Sequence, residues 1–240
     1  MTTTPSPDPT HSQPADRHLK ARFLTREIMG VMLMAVFLFL AAGTVSWPAA
    51  WVLLGIMTLW VAGTAYVLFR WLPDLIAERL GPRKGGKTWD IVILSIVGIG
   101  NLFRLVVAGL DFRYSWSNVP IWLQITAAVV VATAYALMVW ATYANKYFSQ
   151  VVRIQDERNH SVATGGPYHY IRHPAYVGSV LSELFVPLLL GSWWALIPGV
   201  IDAVLMIVRT GMEDRILQQE LDGYKAYASE VRYRLIPGVW

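Results

Sequence analysis

The sequence predicts an all-α, polytopic membrane protein: a bundle of about six spans, closed by a C-terminal helical hairpin and followed by a cytoplasmic amphipathic helix. Three observations predict it. Of the 240 residues, 55% are hydrophobic and only 15% charged, with a mean hydropathy of +0.43, whereas a soluble domain carries about a quarter charged. The apolar residues are gathered into blocks long enough to cross a bilayer, about 20 residues at 1.5 Å each. The lysines and arginines fall between alternate blocks, as the positive-inside rule requires. Cysteine is absent, which excludes a disulfide framework, thiolate-held metals, iron–sulfur clusters and thiol nucleophiles.

Residues 1–20 hold Pro5, Pro7, Pro9 and Pro14 among Ser, Thr, Asp and Gln, too little apolar surface to order a chain, so they are read as a disordered tail. They contain no signal-peptide core. Residues 21–240 form one membrane domain. Ile28 to Trp47 and Pro48 to Phe69 are spans one and two, both uncharged. Ile91 to Leu110 is span three, interrupted by Arg104, and Val119 to about Tyr143 is span four. Pro174 to Val208 is apolar for 35 residues, about 50 Å as a straight helix and too long for a core of about 30 Å. Pro187, Gly191, Ser192 and Pro198 break it near the middle, which predicts a hairpin turning at Gly191 to Trp194. With six spans, every basic loop cluster faces the same side and only Arg113 lies opposite. Both termini are therefore expected in the cytoplasm, and the net charge of +4 needs no nucleic-acid partner to explain it. Met212, Ile216, Leu217, Leu221 and Tyr224 recur at helical spacing beside charged residues, an amphipathic helix whose first part ends at Gly223.

Gly81 to Thr88 satisfies the phosphate-loop pattern letter for letter, but no strand precedes it and a span follows, so a basic loop is the better reading. Gly98-Ile-Gly100 lies mid-membrane and reads as close helix packing. Asn159-His160-Ser161 is a glycosylation pattern in a loop expected to be cytoplasmic. The informative run is Gly165 to Gly178, read GGPYHYIRHPAYVG, which leads into the hairpin. Gly166 and Pro167 shape a turn, Arg172 and His173 offer donors, and Pro174 suits a first helical turn. Tyr168 and Tyr176 supply flat faces for an adenine or a cation. A plain membrane-interface cluster also favours Tyr, Arg and His but does not need so dense a run. Folding the hairpin back returns Arg209, Glu213 and Asp214 to the membrane face that holds Arg172 and His173. Arg209 and Glu213 are four apart on one helix, so an ordinary ion pair is the competing reading.

The Gly-Pro-Tyr…Arg-His-Pro-x-Tyr-x-Gly run, the Arg209…Glu213-Asp214 element and the ending Tyr224…Tyr227…Tyr233-Arg234…Pro237-Gly238 resemble the isoprenylcysteine carboxyl methyltransferase family and its bacterial relatives. The resemblance covers about residues 140–240; the first three spans match in hydropathy alone. Glu213-Asp214 stands where the family usually has two adjacent Glu residues. The resemblance implies an S-adenosylmethionine-dependent enzyme in a bacterial inner membrane, with the cofactor at the cytoplasmic side and a lipophilic small-molecule or lipidated acceptor entering from the bilayer. Gly166, Pro167, Tyr168, Arg172, His173, Pro174, Tyr176, Gly178, Glu213 and Asp214 would bind the cofactor, and Arg209 and Glu213 would be catalytic, Arg209 by orienting an anionic acceptor through its planar fork. Asn145 is a further polar candidate. No metal is expected. Methyl transfer from a sulfonium is mainly a positioning problem, which suits a chain without Cys or metal ligands. Two other classes compete. Nicotinamide-dependent sterol reductases of membranes share a Tyr-x-Gly helix start and a Tyr…Ile-Pro-Gly ending, but carry Asn and an acid where Ala175 and Ser179 stand. A small transporter is suggested by Arg104, Glu183 and Asp202, costly within a membrane unless paired or functional.

Overall fold

The computed structural model describes residues 12–81 and 85–240, all helix, turn and loop with no strand among the described residues. Eight α-helices follow in order: α1 Ser12–Ala42, α2 Pro48–Trp71, α3 Pro73–Leu80, α4 Thr88–Tyr114, α5 Ile121–Ala144, α6 Pro174–Leu189, α7 Leu196–Glu220 and α8 Tyr224–Glu230, with two 3-10 turns at Asp156–Arg158 and Gly166–His169. Four of them are long and apolar enough to cross a membrane, within α1, α2, α4 and α5. Proline at the first turn starts α2, α3 and α6, where its missing N–H costs nothing.

The apolar block of residues 174–208 is a hairpin, as its length requires: α6 and α7 pack antiparallel on each other. The turn is made by Gly191, whose φ of +80° suits glycine, by Ser192 N–H on the Pro187 carbonyl at 3.0 Å, and by the Ser192 hydroxyl on Asp111. Asp111 also accepts from the Ser117 N–H at 2.7 Å and hydroxyl at 2.6 Å, which ties the hairpin tip to the end of α4. The most extensive contacts are α5 on α6 and α1 on α4, followed by α6 on α7 and α4 on α7. Helices approach closely where side chains are small, the usual device when lipid removes the hydrophobic drive for association. Two glycines bring backbones together: a Cβ at Gly199 would sit 2.4 Å from the Glu183 carbonyl oxygen of α6, and one at Gly178 would sit 2.6 Å from the Ala134 carbonyl oxygen of α5. Large apolar side chains such as Leu40, Leu59, Ile99 and Trp122 are exposed on the outer surface, as a bilayer-facing bundle requires.

Three details differ from expectation. Helix α1 already runs from Ser12, so residues 12–20 are not a disordered tail; Leu19 and Phe23 pack on Leu75 and Ile76 of α3, giving the segment the apolar anchor its first residues lack. The remainder of the tail lies outside the described residues, as does the middle of the phosphate-loop pattern. Of the two mid-membrane glycines, Gly100 makes room for the Asp202 carboxylate of α7, whereas Gly98 has open space beside it. The amphipathic segment after the hairpin is no separate helix but the continuation of α7, which ends at Glu220 before Gly223, at φ +80°, starts α8.

Arg104, Glu183 and Asp202 come together between α4, α6 and α7. Arg104 pairs with the Glu183 carboxylate, donates to its carbonyl at 3.1 Å and is braced by Asn101. All three charged side chains are buried. This pairing meets the cost for Arg104 and Glu183, whereas Asp202 beside them keeps a buried carboxylate oxygen without a partner among the described residues.

Candidate active site

At the end of the bundle that carries both α3 and α8, the segment from Asn145 to Tyr170 folds over the mouths of α5, α6 and α7. Its course is fixed by polar contacts that the local sequence supplies. The Gln155 side chain, fully buried, donates to the Tyr147 carbonyl at 2.7 Å, and the Tyr147 hydroxyl donates to Asn159 at 2.6 Å. Arg153 grips Glu78 of α3 through both nitrogens at 2.9 and 2.7 Å. Beneath it lies a cavity of about 740 Å³, counted to its mouth, lined among others by Asn145, Tyr147, His160, Tyr168, Arg172, His173, Tyr176, Arg209, Glu213, Leu217 and Tyr224. Most of that volume is open mouth; the enclosed space free to a water molecule is about 80 Å³.

The hairpin does what its topology promised, because Arg172 and His173 at the start of α6 meet Asp214 of α7. Asp214 has no exposure and accepts five side chains: Arg172 at 2.8 and 3.1 Å, His173 at 3.2 Å, Tyr224 at 3.0 Å, Gln218 at 2.8 Å and Arg234 at 2.8 Å. Burial opposes its charge, yet hydrogen bonding and charge from His173, then Arg234 and Arg172, hold its carboxyl well below the usual carboxylate range. Arg172 spends its remaining nitrogen on the carbonyls of Ala228, Val231 and Arg232, and its backbone N–H on Tyr233. It pins the C-terminal segment against the hairpin.

A second knot stands one turn along α7. Arg209 donates to Asp90 at 2.5 Å from Nε and 3.3 Å from Nη2, and to the Tyr176 hydroxyl from Nη1. The Tyr176 hydroxyl in turn donates to Glu213. The direct Arg209–Glu213 ion pair is not formed, because Asp90, at the first turn of α4 and itself fully buried, holds the guanidinium fork. Asp90 also accepts the Val152 N–H at 2.7 Å, so the same carboxylate carries the covering loop. The His173 and Tyr176 rings stack at 5.7 Å and 18°, and burial pushes the Tyr168 hydroxyl well above its ordinary range, leaving a neutral donor at neutral pH.

Of the residues expected to bind a cofactor, Tyr168, Arg172, His173, Tyr176 and Glu213 line the cavity, and so does Arg209. Five do not. Gly166 lies with a left-handed φ of +58° against Trp140 and Ala144, Gly178 packs on α5, and Pro167 and Pro174 are buried in turns. Asp214 stands behind the cavity wall as the anchor of Arg172 and His173. Motif letters thus divide into wall and scaffold. Sequence reasoning missed Tyr147, His160, Tyr224 and Tyr227 as lining residues, and Asp90 as the partner of Arg209. Asp90 carried one signal, a lone acid at the head of an apolar span.

A second cavity, about 1080 Å³ to its mouth, opens between α1, α2, α3, α4, α5, α6 and α7. It shares Phe148, Ser149, Ala175, Tyr176 and Arg209 with the first, so these residues are a common wall. Its far wall is apolar, with Trp60, Val61, Leu94, Met138 and Met206. A small polar-rimmed cavity and a lipophilic one, back to back across an arginine and a tyrosine, suit the joining of a polar donor to a lipid-soluble acceptor.

Comparison with known proteins agrees with the motif reading. No curated protein sequence matches the chain. The sequence profile of the isoprenylcysteine carboxyl methyltransferase family matches residues 123–219, from the start of α5 to the end of α7. The matched span begins ahead of the resemblance drawn from motifs and stops before the Tyr224 to Gly238 ending. It contains both partners of the Arg172–Asp214 pair and the wall residues Tyr176, Arg209 and Glu213. Residues 123–219 of this polytopic helical protein are therefore similar to the isoprenylcysteine carboxyl methyltransferase family.

Proposed function

We propose that the protein transfers the methyl group of S-adenosylmethionine, held in the smaller cavity, to a lipophilic acceptor that enters the larger one from the bilayer. The observation that carries this is the common wall of Phe148, Ser149, Ala175, Tyr176 and Arg209 between a polar-rimmed cavity and a larger one whose far wall is apolar. S-adenosylmethionine supplies an activated methyl on a cationic sulfur, which leaves as a neutral thioether. The residues suit that cofactor: Glu213 gives a carboxylate for a cationic group, Tyr168, Tyr176 and His173 give aromatic faces, and Leu217, Leu221 and Val162 give apolar cover. Arg209 is a positioning residue in this reading, since its fork fixes Tyr176, which in turn fixes Glu213. The covering loop excludes water, so that the methyl meets the acceptor. The basic residues gathered around this end of the bundle support a cytoplasmic site with both termini on that side. The acceptor is a lipid-soluble or lipidated molecule drawn from the membrane.

The test is ligand binding to the protein in detergent. S-adenosylhomocysteine is expected to bind and NADPH not to bind, and His173→Ala and Glu213→Gln are each expected to weaken S-adenosylhomocysteine at least tenfold, roughly the 1.4 kcal/mol or more of one charge-assisted contact. Wild-type affinity in both variants would remove the assignment, and saturable NADPH binding would turn it toward a reductase.

A further inference from the structure

The wall between the cavities leaves a question about charge. Arg209 reaches the larger cavity, but Asp90 and the Tyr176 hydroxyl take its fork, so it has little left to offer an acceptor. Arg79 of α3 lines the same cavity and is differently placed. Arg104, Arg153, Arg172 and Arg209 each pair with a carboxylate, whereas Arg79 forms no ion pair among the described residues. Of its five N–H donors two are used, to the Phe148 carbonyl at 3.4 Å and the Thr142 hydroxyl at 3.3 Å, both at the weak end of hydrogen bonding. Its guanidinium lies over the Phe148 ring at 5.2 Å, and Phe148 belongs to the common wall. Glu27, on the same cavity, is held by Arg26 at 2.5 Å. Burial pushes Arg79 down to about 10, opposed by the Glu27 carboxylate and aided by Arg26, so it remains cationic at neutral pH. Counted over the lining residues, Arg26 and Glu27 cancel, Arg209 is answered by Asp90, and the charge of Arg79 is left over.

A second, independent observation lies across the same cavity. The hydroxyls of Thr58, Thr126, Thr133, Thr142 and Thr210 all turn back onto the carbonyl four residues earlier, the default for a threonine within a helix. Thr64 of α2, 5% exposed and lining this cavity, does not: its hydroxyl has no partner. A buried hydroxyl left unpaired is costly, and a ligand that accepts from it removes that cost.

We propose that Arg79 and Thr64 receive the acidic head group of the lipophilic acceptor and position it at the common wall, with its chain along Trp60, Val61, Leu94, Met138 and Met206. The inference rests on the methyl-transfer reading for calling the ligand an acceptor, and both residues lie outside the family-matched span. The head group is an anion with two or more acceptor oxygens, the geometry a guanidinium fork matches.

The experiment is saturation binding to the protein in lipid nanodiscs, with empty nanodiscs as the partition control, comparing hexadecanesulfonate, a permanent anion, with 1-hexadecanol of the same chain length. Wild type is expected to prefer the sulfonate on the order of tenfold or more, the worth of one charge-assisted contact. Arg79→Gln should abolish that preference, Arg79→Lys should keep part of it, and Thr64→Val should reduce it severalfold, while S-adenosylhomocysteine affinity stays unchanged in all three. A preference surviving in Arg79→Gln, or none in wild type, overturns the proposal. Should Arg79→Gln also lose S-adenosylhomocysteine binding through misfolding, Thr64→Val decides, and an undiminished preference there overturns it. If wild type binds no S-adenosylhomocysteine yet keeps an Arg79-dependent preference, the methyl-transfer reading fails and the anion site stands.

Discussion

The two buried arginines of the site do different work, and single substitutions separate them. Arg209 uses three nitrogens on three partners, Asp90, Tyr176 and the Gln150 carbonyl. Lysine keeps the charge but cannot reproduce a planar fork, so Arg209→Lys should cost on the order of a hundredfold in methyl transfer from labelled S-adenosylmethionine into a membrane lipid extract. Turnover unchanged at matched protein levels would make Arg209 a structural residue only. Asp214 is the counterpart on the scaffold side. Removing its charge leaves Arg172 buried without a carboxylate, so Asp214→Asn should destabilise the protein by about 3–5 kcal/mol, read as a lower melting temperature in detergent at pH 7. Its carboxyl is depressed in the folded state, so the charge stabilises fully above the unfolded value of about 3.9 and is lost as pH falls through the lower folded value. The gap between wild type and Asp214→Asn should therefore hold from neutral pH down to about 4 and narrow only below it.

At the scale of elements, the hairpin is the decisive piece, since α6 with 16 residues is only about 24 Å long and must hand over to α7 for the chain to return. That return puts Trp194 and Ser229 at opposite ends of the bundle. The chain has no cysteine, so single cysteines at these two positions can be labelled without background. Both sites are exposed, Trp194 by 53%, whereas Ser192 at the same turn is buried against Asp111 and would label poorly for that reason alone. Membrane-impermeant reagent is expected to label Trp194→Cys and Ser229→Cys from opposite sides of sealed vesicles. Labelling from one side would dissolve the hairpin and the convergence of Arg172 with Asp214.

Across the whole molecule, the Arg104–Glu183 pair ties α4 to α6 inside the bundle. A transport path would need these charges individually. A structural tie needs them only to cancel, and a buried pair replaced as a pair by apolar residues is often neutral. The double variant Arg104→Met/Glu183→Met is thus expected to retain more stability and methyl transfer than either single variant, a coupling measurable as a double-mutant cycle. Strictly additive losses would count against the tie. How far this architecture can be read without coordinates follows the same line between local and non-local. Hydropathy blocks, the excess length of residues 174–208 and its central Gly and Pro reported spans and hairpin, because crossing a bilayer and breaking a helix are properties of contiguous residues. The dense run from Gly166 to Gly178 and the acids at 213 and 214 marked the site for the same reason. Only the tertiary structure decided which of those letters face the cavity, that Asp90 rather than Glu213 holds Arg209, that Gly178 serves helix packing, and that Arg79 pairs with no carboxylate among the described residues. Each of these depends on which side chains meet across helices distant in sequence, and burial makes that choice by pairing charges wherever packing brings them together.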